Sequence, residues 1–346
     1  MNNQSPKPFI IPLFIPNMGC PHRCVFCNQT SITGQEHTRL SVQQVQETIS
    51  RFLGFKGHHR GRVEVAFYGG TFLGLPKPYQ QSLLDEAQGF VEKGQVDSIR
   101  FSTRPDTITS DVLKALTPYT VGVVEVGAQS MDDTVLSLSR RGHTAEDTRN
   151  AVKLLKDHGL RIGLQIMPGL PGDTPESILE TGRTVAELKP DFVRIYPTVV
   201  VKNTVLEKWY GSGRFKPLSL ADAVELTKRL YLLFEARAIS VIRMGLQASG
   251  SLLEPGAVVA GPFHPAFGHL VHSAIFLDLA AQELEMQKTL SRRIILRVRP
   301  RELPKVKGLS NHNIKQLLQR FDLKELRAVP DPTVRENTVR VENSLT

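Results

Sequence analysis

The sequence of 346 residues has only three cysteines, one tryptophan and no long apolar run. No stretch approaches the ~18 consecutive apolar residues that a membrane-spanning helix needs. The apolar segment 8–16 is too short, and too often interrupted by proline, for the core of a signal peptide. We therefore expect a soluble globular protein that works in the cytosol, where thiols stay reduced, and that has no membrane partner.

All three cysteines lie in one short segment, as Cys20, Cys24 and Cys27 in a C-x3-C-x2-C pattern. Their odd number and close spacing disfavour disulfides, whereas three neighbouring thiolates suit a soft metal centre. A structural zinc ion would need a fourth ligand, which His22 or His37 would have to supply. An iron-sulfur cluster can be held by three cysteines, which leaves one iron open.

The positive charge is concentrated near the end of the chain. Residues 287–346 hold 14 Lys or Arg and 6 Asp or Glu, so this segment carries +8 of the total net charge of +9. A basic module on a nearly neutral body favours a polyanionic partner such as RNA, although a solvated surface would have the same composition.

Six strand patterns alternate with helix patterns along the first 240 residues. The predicted strands cover residues 9–15, 63–68, 98–103, 121–126, 161–167 and 192–196, and a further strand is expected within 241–247. Such alternation predicts an α/β fold with parallel strands and right-handed crossovers, which is a partial (β/α)6 TIM-like barrel.

Polar residues and glycines follow every predicted strand. In α/β barrels the carboxyl ends of the strands form the active-site face, so these residues should meet at one mouth. The residues expected there are the three cysteines, Gly70, Arg104, Gln129, Gln165 and Tyr196.

The cysteine pattern, with Phe26 as an aromatic residue before Cys27, resembles the cluster loop of the radical S-adenosylmethionine (SAM) superfamily. Further motifs agree in order: YGGTF at 68–72, STRPD at 102–106, EVGAQSMDD at 125–133, RRGH at 140–143, MPGLPG at 167–172 and VRIYPT at 193–198. Over residues 8–220 the sequence is similar to the radical SAM domain of the elongator catalytic subunit, which modifies the wobble uridine of tRNA. It resembles oxygen-independent coproporphyrinogen oxidase more distantly.

The resemblance implies a 4Fe-4S cluster on Cys20, Cys24 and Cys27, with SAM on the open iron and an electron donor such as flavodoxin or ferredoxin. One electron would then cleave SAM to a 5'-deoxyadenosyl radical. The family's SAM contacts fall on Gly69, Gly70 and Thr71 for the amino group, Ser102 and Gln129 for the ribose, Arg141 for the carboxylate, and Phe26, Gln165 and Tyr196 for the adenosine. Arg140 is an alternative to Arg141.

Two departures leave the reaction open. The elongator subunit spaces its first cysteines more widely and continues into an acetyltransferase domain, whereas this sequence ends at Thr346 without a glycine-rich acetyl-CoA loop. Ser102 and Gln165 stand where the porphyrin enzyme is acidic. The main hypothesis is a radical SAM enzyme acting on tRNA or a nucleotide-like substrate. A small metabolite or tetrapyrrole substrate, and a non-catalytic iron-sulfur RNA-binding or carrier protein, remain as alternatives.

The predicted division of the chain has three parts. Residues 1–240 form the barrel, 241–286 an irregular loop and helix region that includes a possible substrate lid at 255–272, and 287–346 a basic α/β appendage. In this appendage a strand is predicted at 294–298, a helix at 311–321 and a strand at 338–341. His264, His269 and His272 are interpreted as polar loop residues rather than as a second metal site.

Overall fold

The computed structural model describes residues 8–15, 18–28, 39–55, 61–287, 289 and 291–343. Its strands are β1 Phe9–Ile15, β2 Val63–Gly69, β3 Ser98–Thr103, β4 Val121–Gln129, β5 Arg161–Ile166, β6 Phe192–Ile195, β7 Val200–Val201, β8 Ser240–Met244, β9 Val258–Ala260, β10 Arg293–Val298, β11 Glu325–Pro330 and β12 Arg340–Asn343. The main sheet is parallel and has the order β1-β2-β3-β4-β5-β6-β8.

This sheet confirms the predicted partial barrel. All six predicted strands form, and Ser240–Met244 adds a seventh within the region where a further strand was expected. The sheet curls into a half-barrel in which β1 and β8 are the two outer strands and do not pair with each other. Because all seven strands run in the same direction, their carboxyl ends share one edge.

Twelve α-helices are found in the described residues. They are α1 Val42–Phe55, α2 Lys77–Glu92, α3 Ser110–Ala115, α4 Asp133–Leu138, α5 Ala145–Asp157, α6 Pro175–Glu187, α7 Val205–Gly211, α8 Leu220–Glu235, α9 Gly250–Leu253, α10 Phe267–Glu285, α11 Leu303–Lys307 and α12 His312–Arg320. Thr174 caps α6: its hydroxyl accepts from Ser177 N in a capping box that starts the helix. None of these helices combines the length and apolar character that crossing a bilayer requires.

The main hydrophobic core lies between the outer face of the sheet and the helices that cover it. The rings of Phe67 and Phe101 both stack on Phe72 with centroid distances of 4.8 Å, which ties β2 to β3. On the other side of the barrel, Val193 and Ile195 of β6 belong to the same core as Phe234 of α8. Burial of these side chains fixes the strands whose ends carry the site.

A second core lies in the C-terminal region, where the three-stranded sheet β11-β10-β12 forms. Ile294 and Leu296 of β10 share this core with Phe276, Ala280 and Leu284 of α10. The proposed boundary at residue 287 remains a prediction, but the apolar residues of this core come from both sides of it.

The prediction of an irregular loop over 255–272 is wrong for much of its length. Residues 258–260 form β9, which pairs with β7, and α10 begins at Phe267. His269 and His272 therefore lie on a helix, where the His272 ring packs edge-on against Tyr231 at 5.1 Å. A helix was expected within 241–286, but its start was placed in the loop because apolar residues cover two of its sides, so that the usual amphipathic period is absent.

Candidate active site

The cysteine loop is attached to the barrel through backbone groups at its centre. Val25 N donates to Ser139 O at 3.2 Å, and Leu206 N donates to Val25 O at 2.8 Å. The Val25 side chain is fully buried against Leu206 and Phe215. The loop is thereby held between the end of α4 and the start of α7, at the carboxyl edge of the sheet.

The three cysteines are reduced thiols, and they differ in exposure and surroundings. Cys20 Sγ lies 3.0 Å from Thr71 Oγ1 and is exposed, whereas Cys24 is buried and its Sγ accepts from Arg141 Nη1 at 3.2 Å. Within the described residues, no three His, Cys, Asp or Glu side chains converge into a ready ion site, the cysteines included. By donor chemistry, three sulfur ligands in one loop fit an iron-sulfur cluster.

Two histidines were considered as a fourth zinc ligand. His37 lies outside the described residues, and the His22 ring packs against Gly142, where an added Cβ would be 2.3 Å from His22 Nε2.

The glycine pair after β2 shapes the start of the cysteine loop. A Cβ on Gly70 would lie 2.1 Å from Met18 O and 2.7 Å from Ile15 O, so only glycine fits there. Gly69 has φ +107°, and Thr71 N donates to Met18 O at 2.9 Å. The close approach that requires glycine is therefore to the chain's own backbone, just before the cysteines.

Arg141 bridges the cysteine loop and β4. Besides its contact with Cys24, its Nη2 donates to Gly127 O at 2.7 Å. The side chain is buried, and its Nε has no hydrogen-bond partner among the described residues. Arg140 is exposed instead, with its guanidinium 6.0 Å from the centre of the Trp209 ring. Of the two arginines considered from the sequence, only Arg141 contacts a cysteine.

The remaining predicted SAM contacts occupy the ends of neighbouring strands. Gln165 Nε2 donates to Gln129 Oε1 at 3.1 Å, which joins the ends of β5 and β4. Gln129 has φ +69°, at a register shift between these strands. Phe26 and Tyr196 pack on one small apolar cluster with Met167.

Ser102 is half-buried on β3, in register with Glu125 on β4. Arg104, also expected at the mouth, forms a two-pronged contact with Asp106, with both N···O distances at 2.9 Å. The charge of Arg104 is therefore matched inside the chain.

Below the mouth, the concave face of the sheet carries a buried charge network that the sequence reasoning missed. Arg100 pairs with Glu64 and with Glu125, and Arg194 pairs with Glu125 at 2.7 Å. Glu125 also accepts from Tyr68 OH at 3.0 Å. Burial, and then the charge of Glu125, raise the pKa of Tyr68, so the phenol stays protonated. The sequence signal for this network was a charged residue within each of the four apolar strands that carry it.

His143 lies near Arg141, and only 6% of its surface is exposed. Its Nε2 is 3.2 Å from Ala128 O, a contact in which the ring nitrogen must donate. Burial, and then the positive charge of Arg141, lower the pKa of His143 to about 4. The ring is therefore neutral at physiological pH and adds no charge to the site.

Comparison with known proteins identifies the family of this chain. The family model of the radical SAM superfamily matches residues 14–185, and that of the radical SAM C-terminal domain matches residues 190–276. The chain belongs to the radical SAM superfamily. As a radical SAM protein it is an enzyme, and its cofactors are those of the superfamily, a 4Fe-4S cluster and SAM.

The curated relatives of this radical SAM enzyme include tRNA-modifying proteins. It is 31% identical over 230 residues to a tRNA uridine(34) acetyltransferase of Dehalococcoides mccartyi, which covers 57% of this chain and 50% of that protein. It is 29% identical over 259 residues to human Elongator complex protein 3, which covers 62% of this chain and 47% of the relative. The chain thus spans about half the length of these relatives.

A solved structure of Elp3 from the archaeon Methanocaldococcus infernus, lacking its N-terminal residues 1–46, has the same fold. The TM-score is 0.60 at 24% identity, over 78% of this chain and 63% of that chain.

Proposed function

We propose that this radical SAM enzyme binds its 4Fe-4S cluster through Cys20, Cys24 and Cys27, binds SAM at the adjoining strand ends, and acts on tRNA. The observation that carries the proposal is the position of Arg141. Its guanidinium contacts Cys24 and Gly127 and still has a buried Nε that no described residue satisfies. An unsatisfied buried donor is costly, and a ligand carboxylate beside the cluster loop would satisfy it.

Held by Cys20, Cys24 and Cys27, the cluster would supply the one-electron reduction that cleaves SAM. The chain's own residues hold and orient the reactants. Thr71 and Arg141 each contact one of the cysteine sulfurs, so they orient the loop as well as the ligand.

We propose that SAM lies along the strand-end residues. We assign Gly69, Gly70 and Thr71 to its amino end, and Ser102 with Gln129 to the ribose. Gln165, Tyr196 and Phe26 line the adenosine side, where Phe26 and Tyr196 share an apolar cluster that excludes water. The hydrogen bond from Gln165 to Gln129 keeps both amides in place before SAM arrives.

The assignment of tRNA rests on the relatives, whose names state action on uridine 34 of tRNA or membership of the elongator complex. We further propose a cytosolic location and a reducing partner such as flavodoxin or ferredoxin, since the cluster has to be reduced for each cleavage.

The test uses anaerobically reconstituted protein. Wild type should bind four iron and four sulfide per chain and, with dithionite, convert SAM to 5'-deoxyadenosine. Replacement of all three cysteines by alanine should abolish both. Bulk tRNA should change the rate of 5'-deoxyadenosine formation, whereas a porphyrinogen should not. A wild type that neither binds SAM nor cleaves it would refute the enzymatic part, and indifference to tRNA would refute the substrate.

A further inference from the structure

The arginines of the basic C-terminal segment are largely neutralised within the chain. Eight of them lie within ion-pair distance of a carboxylate. These pairs are Arg292 with Asp322, Arg293 and Arg327 with Glu325, Arg297 with Glu342, Arg299 and Arg301 with Glu336, Arg320 with Glu285, and Arg340 with Asp331. A paired guanidinium attracts a phosphate less than an open one, because the carboxylate cancels most of its charge.

A different set of cations is open and lies near the cysteine loop. Arg140 and Arg214 place their guanidinium groups 6.0 and 4.3 Å from the centre of the Trp209 ring. Arg140, Arg214 and Lys216 are exposed, and within the described part of the chain none of the three pairs with a carboxylate. We call Arg140, Trp209, Arg214 and Lys216 the Trp209 surface.

A cavity of about 300 Å³ opens at this surface. It is lined by Leu138, the loop 169–173, Trp209 and residues 214–216 and 218. Both oxygens of the Asp173 carboxylate are engaged in the loop: Oδ2 accepts from Gly169 N and Leu170 N at 3.0 Å, and Oδ1 accepts from Ser177 Oγ. One wall of the cavity is thus the loop 169–173, which these hydrogen bonds stiffen and whose carboxylate they engage. The opposite wall consists of cationic and aromatic side chains.

Phe26 connects this cavity to the proposed SAM site. On one side it packs with Leu170 and Tyr196, and on the other it belongs to the apolar cluster of Trp209 and Phe215. Phe26 therefore shares apolar clusters both with residues that line the cavity and with Tyr196 at the mouth.

We propose that the Trp209 surface binds a single-stranded loop of the RNA substrate, with phosphates on Arg140, Arg214 and Lys216 and one base in or over the cavity. This inference rests on the proposed tRNA substrate. Single-stranded RNA is recognised by aromatic rings and arginine planes that stack bases and by cations that follow the backbone. Binding beside Phe26 would place the neighbouring nucleotide at the mouth of the half-barrel.

The test measures the Kd of a fluorescent tRNA for the full reconstituted chain at 50, 100 and 200 mM KCl. The double variant Arg214→Glu, Lys216→Glu should weaken binding at least about tenfold at 100 mM. Its slope of log Kd against log salt should fall by about 1.4, since each single-strand phosphate contact contributes about 0.7. Arg214→Gln with Lys216→Gln should have a smaller effect in the same direction. Trp209→Phe, which keeps an apolar ring, should also weaken binding through poorer stacking.

The matched control is Lys315→Glu with Lys324→Glu, which reverses two exposed charges of the C-terminal segment that have no carboxylate partner among the described residues. It should stay within about twofold of wild type. Circular dichroism melting of every variant checks folding. The inference would be overturned if the control lost as much tRNA affinity as the variant Arg214→Glu, Lys216→Glu, or more. The proposed tRNA substrate would not be affected by that result. Failure of wild type to bind tRNA would refute the proposed substrate itself.

Discussion

Arg141 shows how a single residue acquires a role that its neighbour cannot share. Arg140 and Arg141 are adjacent in the sequence, yet Arg140 has φ +54° and is exposed, while Arg141 is buried against Cys24. The turn at Arg140 sends the two side chains into different surroundings. The family resemblance brought both to attention, but only the backbone course distinguishes them.

Replacing Arg141 by glutamine should weaken SAM binding by about 10- to 100-fold, because a charge-assisted hydrogen bond to a carboxylate is worth roughly 1.5–3 kcal/mol. Equilibrium dialysis of SAM against anaerobic, cluster-loaded protein would measure this loss. Arg149→Gln, which removes an exposed arginine whose partner Glu146 is one helical turn away, is the control and should leave the affinity unchanged. An unaltered SAM affinity in Arg141→Gln would contradict the assignment.

His143 should make the folded state sensitive to acid. Its pKa is about 4 when folded and about 6.5 when unfolded, so the unfolded state binds the extra proton first as the pH falls. The free energy of unfolding therefore falls between pH 6.5 and about 4. The groups that face His143 are Arg141, Arg104 and Asp106, of which the two arginines oppose its protonation.

His143→Gln keeps a donor for Ala128 O and removes this titration, so its thermal midpoint should fall less steeply from pH 6.5 to 4.5 than that of wild type. Asp173 acts in the opposite direction, since burial raises its pKa to about 6, but it is present in both proteins and cancels in the difference. The measurement is circular dichroism melting of the cluster-free protein at four pH values. Parallel pH profiles would refute the prediction.

At the scale of the elements, the concave face of the sheet joins charges from four strands. Glu64, Arg100, Glu125 and Arg194 lie on β2, β3, β4 and β6 and form one continuous set of ion pairs. Glu64, Arg100 and Glu125 are at most 6% exposed. Such a set fixes the relative position of the strands because each charge has its partner on another strand.

Glu125→Gln should lower the free energy of unfolding by about 3–5 kcal/mol, since it leaves the buried charges of Arg100 and Arg194 with less compensation. Glu180→Gln, which removes the partner of the exposed Arg183, should cost at most about 0.5 kcal/mol. Urea unfolding followed by circular dichroism would compare the two. Similar losses in both variants would show that the network does not stabilise the sheet.

The strands were predictable because their signals are local, and the cysteine spacing on which the proposed cluster site rests is local as well. Each strand of the barrel is a short apolar run that ends in Gly, Pro or a polar cluster, and the cysteine spacing lies within eight residues. The charged residues of the network were visible in the sequence, but their pairing was not predictable, since strand register brings together residues as far apart as Glu64 and Arg194. The start of helix α10 was assigned to a loop because Phe267 and Val271 belong to one apolar cluster and Phe276 and Leu284 to another.

At the scale of the whole molecule, α10 links the barrel to the C-terminal sheet. It contacts α8 and β8 on the barrel side, and α11, α12 and β12 on the other. The basic segment is therefore part of a packed structure rather than a separable tail.

A chain shortened to end at Met286 should expose the apolar side of α10, which in the full chain is covered by Leu296, Val298 and Leu317. We expect this protein to bind the dye ANS, to aggregate on size-exclusion chromatography and to melt at a lower temperature. The full-length variant Lys315→Glu, Lys324→Glu should do none of these. A soluble, monomeric shortened chain with an unchanged melting temperature would refute the shared core.

The attachment of the cysteine loop also bears on the order of maturation. Its centre is held by two backbone hydrogen bonds and by Val25 in an apolar pocket, and none of these contacts involves sulfur. Zinc fingers differ, because their fold exists only with the metal. We therefore expect the loop to keep its attachment without the cluster, so that iron is added to a folded chain through the exposed Cys20. On that expectation, a cluster lost to oxygen would be rebuilt on the same molecule, and the remedy for oxidative damage would be repair of the cofactor rather than synthesis of a new chain.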